Sequence, residues 1–192
     1  MLPTGDVGDD RVVDSETSRL LLSESVVVEE KLDGANVSIW LDPNGWPQVA
    51  SRSGKTHGDR GGQLGRANAW VAENAAALQL LLADDEVLYG EWLARTHSVG
   101  YDALPDWLVV LDLWDREHGF ASIAERNRRA HEVGLATPPV VFQGRLGTLA
   151  ALTELHSQSR LGSEPAEGLV VRFERNGRLV TRAKWLAPSR AR

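Results

Sequence analysis

The 192-residue sequence contains no cysteine, which excludes disulfide bonds, thiolate metal sites and cysteine nucleophiles. It has no stretch approaching about 18 apolar residues, so we expect no membrane-spanning segment and no membrane partner. The first ten residues are polar and acidic and lack the apolar run of a signal peptide. Repeats and low-complexity tracts are absent as well. We therefore expect one cytoplasmic domain, because a chain of this length is too short for two ordinary domains.

The charge of the chain is unevenly distributed. The net charge is −6 and the sequence pI is about 5.4, which by itself counts against a nucleic-acid partner. Residues 1–33 carry nine acids and three bases, whereas residues 172–192 carry seven bases and one acid. A polyanion site built from part of the surface would explain this asymmetry. Solvated strands and a frayed tail would explain it equally well, so charge alone does not decide between them.

Apolar periodicity and turn residues predict an α+β fold. Period-2 alternation and short β-branched runs are typical of strands, and apolar residues three and four apart are typical of helices. Strands are predicted at residues 25–30, 35–41, 47–51, 86–93, 107–114, 168–173 and 179–185, helices at 63–82, 123–133 and 148–158, and a loop or loosely attached arm at 1–16. This order favours mostly antiparallel sheets flanked by helices over regular βαβ winding.

Common phosphate and metal motifs do not fit the sequence. Gly54, Lys55 and Thr56 resemble the end of a P-loop, but Val49 stands where that motif requires its first glycine. No two of the five histidines have the spacing of a metal site. We therefore expect each histidine at the surface rather than as a metal ligand.

The strongest local signal is the segment 30–34, Glu-Lys-Leu-Asp-Gly, which places an amine on a sharp turn at the end of a strand. An exposed turn with an ordinary salt-bridging lysine would give the same pattern. Further along, apolar strands contain or adjoin charged residues: Glu91, Asp112, Glu167, Arg182 and Lys184. The last two stand two apart and so share one strand face. Charges in apolar strands are costly unless a partner or ligand satisfies them, so the pattern indicates a charged site.

Six segments, in this order, resemble motifs of the covalent nucleotidyltransferase superfamily of ATP-dependent DNA ligases, RNA ligases and mRNA-capping enzymes. The segments that resemble motifs I, Ia, III, IIIa, IV and V are residues 31–34, 51–55, 89–92, 111–113, 167–171 and 182–185. Asn36 and the run 97–105 are most similar to the RNA ligase branch that includes phage nick-sealing enzymes. The resemblance covers residues 26–186.

The resemblance implies a nucleotidyltransferase fold, similar to ATP-grasp, of mostly antiparallel sheets flanked by helices. It places the adenylyltransferase domain at residues 25–187, after an N-terminal arm or first element at 1–24 and before a basic tail at 188–192. The sequence ends soon after motif V, so we expect no OB-fold domain.

The resemblance also implies an ATP-dependent RNA ligase. Lys31 would attack the α-phosphate of ATP and pass AMP to a 5′-phosphate RNA end or nick, and a 3′-hydroxyl would then displace the AMP. Glu91 and Glu167 would hold Mg²⁺ or Mn²⁺, which prefer carboxylate and phosphate oxygens. The residues implied in catalysis are Lys31, Glu91, Glu167 and Lys184. Those implied in nucleotide binding are Glu30, Lys31, Asp33, Gly34, Asn36, Arg52, Glu91, Leu111, Glu167, Arg182 and Lys184. Candidates for contact with nucleic acid are Arg52, Lys55, Arg60, Arg66 and Arg182.

Two departures from the family pattern stand in the sequence. Motif V begins with Arg182 where this branch usually has lysine, and arginine keeps the charge but binds phosphate in another geometry. Motif IIIa offers Val109 or Leu111 where an aromatic platform for adenine is usual, so the stack would be aliphatic or use a tryptophan from elsewhere. Most of the seven tryptophans are expected in the core, and Trp185, beside Lys184, is the candidate for stacking on a base.

Two alternatives remain open. The first, the core of a DNA ligase or capping-type enzyme, shares the same chemistry. The second is a non-catalytic module that binds nucleic-acid ends, and the two departures are its only support. A kinase or phosphatase that prepares the ends, or a second copy of the chain, is an open partner.

Overall fold

The computed structural model describes residues 13–54, 56 and 62–188. Within them the helices are α1 Ser15–Ser23, α2 Gln63–Glu73, α3 Ala75–Leu81, α4 Ile123–Glu132 and α5 Leu149–Glu154. The strands are β1 Ser25–Lys31, β2 Ala35–Leu41, β3 Pro47–Ser51, β4 Glu86–Trp92, β5 Leu108–Asp115, β6 Gly119–Phe120, β7 Val140–Arg145, β8 Gly168–Arg175 and β9 Arg178–Leu186. The longest described helix has 11 residues, about half of what a bilayer crossing needs.

The strands form two antiparallel sheets, which confirms the predicted α+β class. The first sheet has the order β7-β1-β8-β9, and the second has the order β3-β2-β4-β5-β6. In β1, Val26 and Val28 are buried in an apolar cluster with Leu21 of α1 and Leu169 of β8. Because successive side chains of a strand point to opposite faces, Lys31 lies on the other face of the sheet.

The second sheet likewise has one apolar face and one polar face. Val37 and Ile39 of β2 pack in a cluster with residues of α2 and α3, among them Trp70 and Leu78. Asn36 alternates with them and lies on the opposite face, beside its cross-strand partner on β4. The two sheets therefore turn their polar faces toward each other and bury their apolar faces under helices.

The helix predicted over residues 63–82 is two helices. Asn74 separates α2 from α3, with φ −102° and ψ 16°, and its side-chain nitrogen donates to the carbonyl of Trp70 at 2.9 Å. Asparagine favours such caps because its side chain competes for backbone hydrogen bonds. The helix predicted over 148–158 is also shorter, because α5 ends at Glu154.

The loop predicted over residues 1–16 is wrong at its described end. Asp14 caps α1, since its carboxylate accepts from the backbone nitrogens of Glu16 and Thr17 at 3.0 and 2.8 Å. Aspartate is a favoured cap because it satisfies N–H groups that have no partner within the helix.

Strand β7 was not predicted, and it pairs with β1 from more than a hundred residues away along the chain.

Candidate active site

A continuous cavity of about 1320 Å³ includes the cleft between the polar faces of the two sheets and extends to side chains of α1 and α5, among them Leu21 and Leu152. The ends of β1, β8 and β9 line one side, and β2, β4 and β5 line the other. All eleven residues that the resemblance assigns to nucleotide binding line this cleft. Because they come from segments between positions 30 and 184, only the folded chain brings them together.

Strand register places the candidate nucleophile beside motifs IV and V. Lys31 pairs with Gly168, which pairs with Leu186 on β9. Val170 faces Lys184 in the next row of the same face. A Cβ atom at Gly168 would lie 2.0 Å from the carbonyl oxygen of Trp185, so only glycine lets the two strands approach here. This close approach positions residues 167 and 184 near Lys31.

Lys31 forms an ion pair in the cleft. Its Nζ lies 2.5 Å from Oε2 of Glu167 and also donates to the carbonyl of Leu32 at 3.4 Å. Both paired side chains are largely shielded, with 19% and 15% exposed. Burial raises the pKa of the Glu167 carboxyl above its ordinary value, although the adjacent lysine opposes that shift. The amine is therefore held next to a carboxylate whose proton affinity is increased.

Glu91 supports the turn that follows Lys31. Its Oε1 accepts from the backbone nitrogen of Gly34 at 2.9 Å, and it lies opposite Asn36 across the strands. Burial raises the pKa of Glu91 to about 7, and the positive charges of Lys31 and Lys184 only partly offset it. A Cβ atom at Gly34 would lie 2.7 Å from the carbonyl oxygen of Trp92, which explains the need for glycine at this position.

Asp33 points into the protein rather than at the centre of the cleft. Its carboxylate accepts from the backbone nitrogen and hydroxyl of Ser98, both at 2.6 Å, and from the nitrogen of Val99 at 3.0 Å. Burial alone would raise its pKa, but these hydrogen bonds hold the pKa of Asp33 below its ordinary value. The hydroxyl of Tyr101 accepts from the Asp33 nitrogen at 2.7 Å. Asp33 thus shapes the turn by binding the loop around residues 98–101.

Glu30 is also an internal anchor. Its buried carboxylate accepts from the hydroxyl of Ser159 at 2.8 Å and from the nitrogen of Arg160 at 2.7 Å. Its own backbone nitrogen donates to the carbonyl of Pro139 at 3.0 Å. The Glu30 side chain and N–H are therefore used within the fold. The sequence offered no signal for Ser159, because the contact joins segments 129 positions apart.

Asp112 joins the two sheets at the floor of the cleft. This buried carboxylate accepts from Arg172 at 2.7 Å and from Arg182. Burial would raise its pKa, but the two guanidinium groups hold the pKa of Asp112 below its ordinary value. The Arg182 guanidinium also lies 5.0 Å from the ring centre of Phe120. The first basic residue of motif V is therefore tied to motif IIIa.

Leu111 occupies an irregular point of β5. Gly90 pairs with Val110 and Tyr89 with Asp112, so Leu111 is the extra residue of a β-bulge. The fully buried Arg126 of α4 donates to its carbonyl at 2.7 Å and forms an ion pair with Glu29. An interior cation thus holds the aliphatic candidate platform in place. Trp185, the candidate tryptophan, is among the residues that line the cavity, and it packs against an apolar cluster and the ring of His156.

The candidates for nucleic-acid contact are dispersed. Arg52 and Arg182 line the cleft, and the Arg52 backbone nitrogen donates to the carbonyl of Asn36 at 3.2 Å. Arg66 is exposed on α2 and is not among the residues that line the cleft. Lys55 and Arg60 lie outside the described residues.

The carboxylates of the cleft fit a divalent cation. Within residues 13–54, 56 and 62–188, no group of three or more His, Asp or Glu side chains forms a metal site by itself. Glu91 and Glu167 both line the cleft, and burial disfavours their ionised forms. A bound cation would favour the ionised forms of both carboxylates again. Mg²⁺ characteristically uses one or two carboxylates together with phosphate oxygens and water.

The sequence pattern of the RNA ligase family matches residues 24–186. The Naegleria gruberi RNA ligase with PPi superposes with a TM-score of 0.72 at 17% identity, covering 91% of this chain and 52% of that one. A mutant of that ligase with ATP and Mn gives 0.75 at 16% identity, covering 95% and 56%. Another, with AMP and Mn, gives 0.71 at 15% identity, covering 90% and 52%. No curated protein matches the sequence.

The chain spans about half the length of these Naegleria structures. At such low identity the structural likeness shows a shared fold. The family pattern, in contrast, covers most of the chain, from the start of β1 to the end of β9. The chain belongs to the RNA ligase family.

Proposed function

We propose that this chain is an ATP-dependent RNA ligase that forms a covalent lysyl-AMP intermediate on Lys31, with residues 25–187 as its adenylyltransferase domain. The observation that carries the proposal is the contact between the Lys31 amine and Glu167 in a cleft that all eleven candidate nucleotide ligands line. The Naegleria ligase of the same fold is known with ATP or AMP and Mn, which supports ATP and a divalent cation.

The first step forms a P–N bond. The neutral amine of Lys31 attacks the α-phosphorus of ATP, the bond to the bridging oxygen breaks, and pyrophosphate leaves with the bonding electrons. The amine must give up a proton, and Glu167 lies 2.5 Å away, within range of direct transfer. The raised pKa of Glu167 makes it a better acceptor than an ordinary glutamate.

Charge on the phosphates requires neutralisation in the transition state. Lys184 and Arg182 stand two apart on the cleft face of β9 and supply positive charge at positions held by strand pairing. Arg182 is oriented by Asp112, so its charge is fixed in direction before ATP arrives. A divalent cation held by Glu167 and Glu91 would add further neutralisation of the phosphates.

The second and third steps transfer AMP to a 5′-phosphate RNA end and then join that end to a 3′-hydroxyl. AMP leaves Lys31 when a 5′-phosphate oxygen attacks its phosphorus, which regenerates the amine. The 3′-hydroxyl then attacks the activated 5′-phosphorus, and AMP departs. Arg52 is the proposed contact for the incoming 5′-phosphate, because a guanidinium matches the geometry of phosphate oxygens.

Incubation with α-labelled ATP and Mg²⁺ tests the proposal. We expect label on the wild-type protein and none on Lys31→Ala. Lys31→Arg should also take no label, because it retains the charge but lacks a nucleophilic amine. The chain contains only three lysines, so peptide mapping can assign the label to one of them.

Absence of label on the wild type over a range of pH with both Mg²⁺ and Mn²⁺ would contradict the proposal and favour a non-catalytic end binder. Label from GTP rather than ATP would favour a capping-type enzyme. Nicked duplexes with RNA or DNA 3′-hydroxyl strands then separate an RNA ligase from a DNA ligase by the amount of sealed product.

A further inference from the structure

We propose that His156 is a positioning residue for the lysyl-AMP step, acting on both motif IV and motif V from behind the cleft. The inference rests on the proposed function, since it concerns Glu167 and Lys184. His156 follows α5 and is half-buried, although the sequence suggested a surface histidine. It lies outside all six motifs and is not among the residues that line the cleft.

The first contact of His156 holds the start of β8. Its Nε2 lies 2.7 Å from the carbonyl oxygen of Ala166. A carbonyl can only accept, so Nε2 carries the proton and donates. The Ala166 carbonyl belongs to the peptide unit that contains the nitrogen of Glu167, so this hydrogen bond orients the plane from which the catalytic carboxylate extends.

A second backbone contact strengthens this link. The Ala166 nitrogen donates to the carbonyl of Ser157 at 3.1 Å, so the turn that carries His156 binds Ala166 from both sides. On the far side of the carboxylate residue, the carbonyl of Glu167 accepts from the nitrogen of Ala187 at 3.1 Å. Glu167 therefore stands between two held peptide groups, one of which depends on the histidine.

The other contact of His156 reaches motif V. Its ring packs edge-on against the Trp185 indole, with ring centres 5.3 Å apart and an interplanar angle of 64°. Trp185 directly follows Lys184 and pairs with Leu169 of β8. The carbonyl of Trp185 also makes the close approach to Gly168 that keeps β8 and β9 together. One imidazole thus buttresses the residues adjacent to both Glu167 and Lys184.

Two substitutions at this position separate the two contacts. His156→Phe keeps a ring against Trp185 and removes the N–H donor. His156→Gln keeps an N–H donor and removes the ring. His131→Phe is the matched control, because His131 is an exposed residue of α4 whose ring forms a hydrogen bond with the hydroxyl of Thr137.

The measurement is single-turnover formation of lysyl-AMP over a range of ATP concentrations, with thermal unfolding of each variant alongside. We expect His156→Phe to lower the maximal rate about tenfold, because small displacements of catalytic groups cost one to two orders of magnitude. The ATP concentration for half-maximal rate should stay within about twofold, since His156 does not contact the cleft ligands. His156→Gln should lose less, a few-fold, because it keeps the donor to Ala166 and gives up only the ring against Trp185. His131→Phe should match the wild type.

Amide hydrogen exchange gives a readout that does not depend on catalysis. In His156→Phe, exchange around residues 166–168 should accelerate while the rest of β8 and β9 stays protected. A role confined to stability would lower the unfolding temperature and leave the maximal rate of the folded fraction unchanged.

A maximal rate for folded His156→Phe within twofold of the wild type overturns the inference. If His156→Phe does not fold, His156→Gln decides: a loss of tenfold or more in the folded glutamine variant shows that the retained N–H donor does not position Glu167. Neither result bears on the proposed function, which is tested separately by the labelling of the wild type and of Lys31→Ala.

Discussion

At the scale of single residues, the candidate site contains carboxylates that are buried away from the water that would otherwise stabilise their negative charge. Glu91 and Glu167 differ in their partners. Glu167 faces the amine of Lys31 directly, whereas Glu91 receives only a backbone N–H from Gly34. That difference explains why the pKa of Glu91 rises to about 7, because burial is opposed there by more distant charges. Burial makes the ionised form of Glu91 unfavourable, and a bound cation would offset that cost.

Glu91→Gln is expected to stabilise the unliganded protein above neutral pH. The pKa of Glu91 is about 7 in the folded state against an ordinary 4.5, so the wild type loses stability as pH rises between those values. The glutamine variant does not ionise and retains the acceptor for Gly34. It should gain up to about 3 kcal/mol at pH 8 and nothing near pH 4.5. Urea unfolding at several pH values measures the difference.

Glu132→Gln is the control for this experiment. Glu132 is exposed on α4 and pairs with Arg128, so its replacement should change stability by less than about 1 kcal/mol. A Glu91→Gln difference that stays constant between pH 5 and pH 8 would show that the buried carboxylate does not titrate as expected.

At the scale of secondary-structure elements, the close pairing of β8 with β9 determines the distance between motifs IV and V. Gly168 permits this pairing, and the Trp185 carbonyl occupies the space that any larger residue would need. The β-bulge at Leu111 and the buried Arg126 perform a comparable task on β5. A close backbone approach on β8 and a bulge on β5 therefore help to position the candidate site, in addition to the regular strand register.

Gly168→Ala should weaken both the fold and the chemistry. The added Cβ would lie 2.0 Å from a backbone oxygen, so β9 must move away from β8 and take Lys184 with it. We expect a loss of about 1–3 kcal/mol in the free energy of unfolding. Lysyl-AMP formation by the folded fraction should fall as well, which the labelling assay measures.

Gly100→Ala provides the comparison for this substitution. Its Cβ would meet only the carboxylate of Glu164 at 3.0 Å, the end of a flexible side chain that can move aside. Equal stability losses in the two alanine variants would show that the backbone approach at Gly168 has no special cost.

At the scale of the whole molecule, each of the two sheets packs its outer, apolar face against helices. The inner faces contact each other through charged side chains. Asp112 of the second sheet binds Arg172 and Arg182 of the first. Arg126 of α4 adds a bond to Glu29 of β1. A polar meeting surface leaves room for a ligand between the sheets, which an interdigitated apolar core would fill.

Asp112→Asn should weaken the contact between the two sheets and so lower the free energy of unfolding. The substitution removes the charge between two guanidinium groups while their surroundings stay buried, which typically costs about 3–5 kcal/mol. Denaturant unfolding measures this loss. Asp115→Asn, at the more exposed end of the same strand, should cost less than about 1 kcal/mol. Similar losses at the two positions would argue against Asp112 as the main inter-sheet contact.

How well each element could be predicted depends on how far apart along the chain its interacting residues lie. Strands with clear alternation, such as 35–41 and 47–51, agree with β2 and β3 because the pattern lies within the strand. β7 was missed because its place beside β1 depends on a distant partner. The break at Asn74 was missed for a related reason, since the apolar spacing continues across it and does not indicate the change of backbone angles at Asn74.

The candidate site divides in the same way. The motif residues could be named from the sequence, because motif order and local residue type are properties of the chain. Their roles remain proposals. The anchoring of Glu30 by Ser159, of Asp33 by Tyr101 and of Arg182 by Asp112 had no local signal, since each pair is separated by more than 60 positions.

The sequence by itself determined the α+β class, the lysine turn and the set of charged residues that need partners, because these depend on periodicity, turn chemistry and the cost of burying charge. Only the tertiary structure decided which charges meet, that Glu91 ionises with difficulty, and that His156 lies behind both Glu167 and Lys184. Those properties arise from distances and burial between segments far apart in the chain, and no local pattern encodes them.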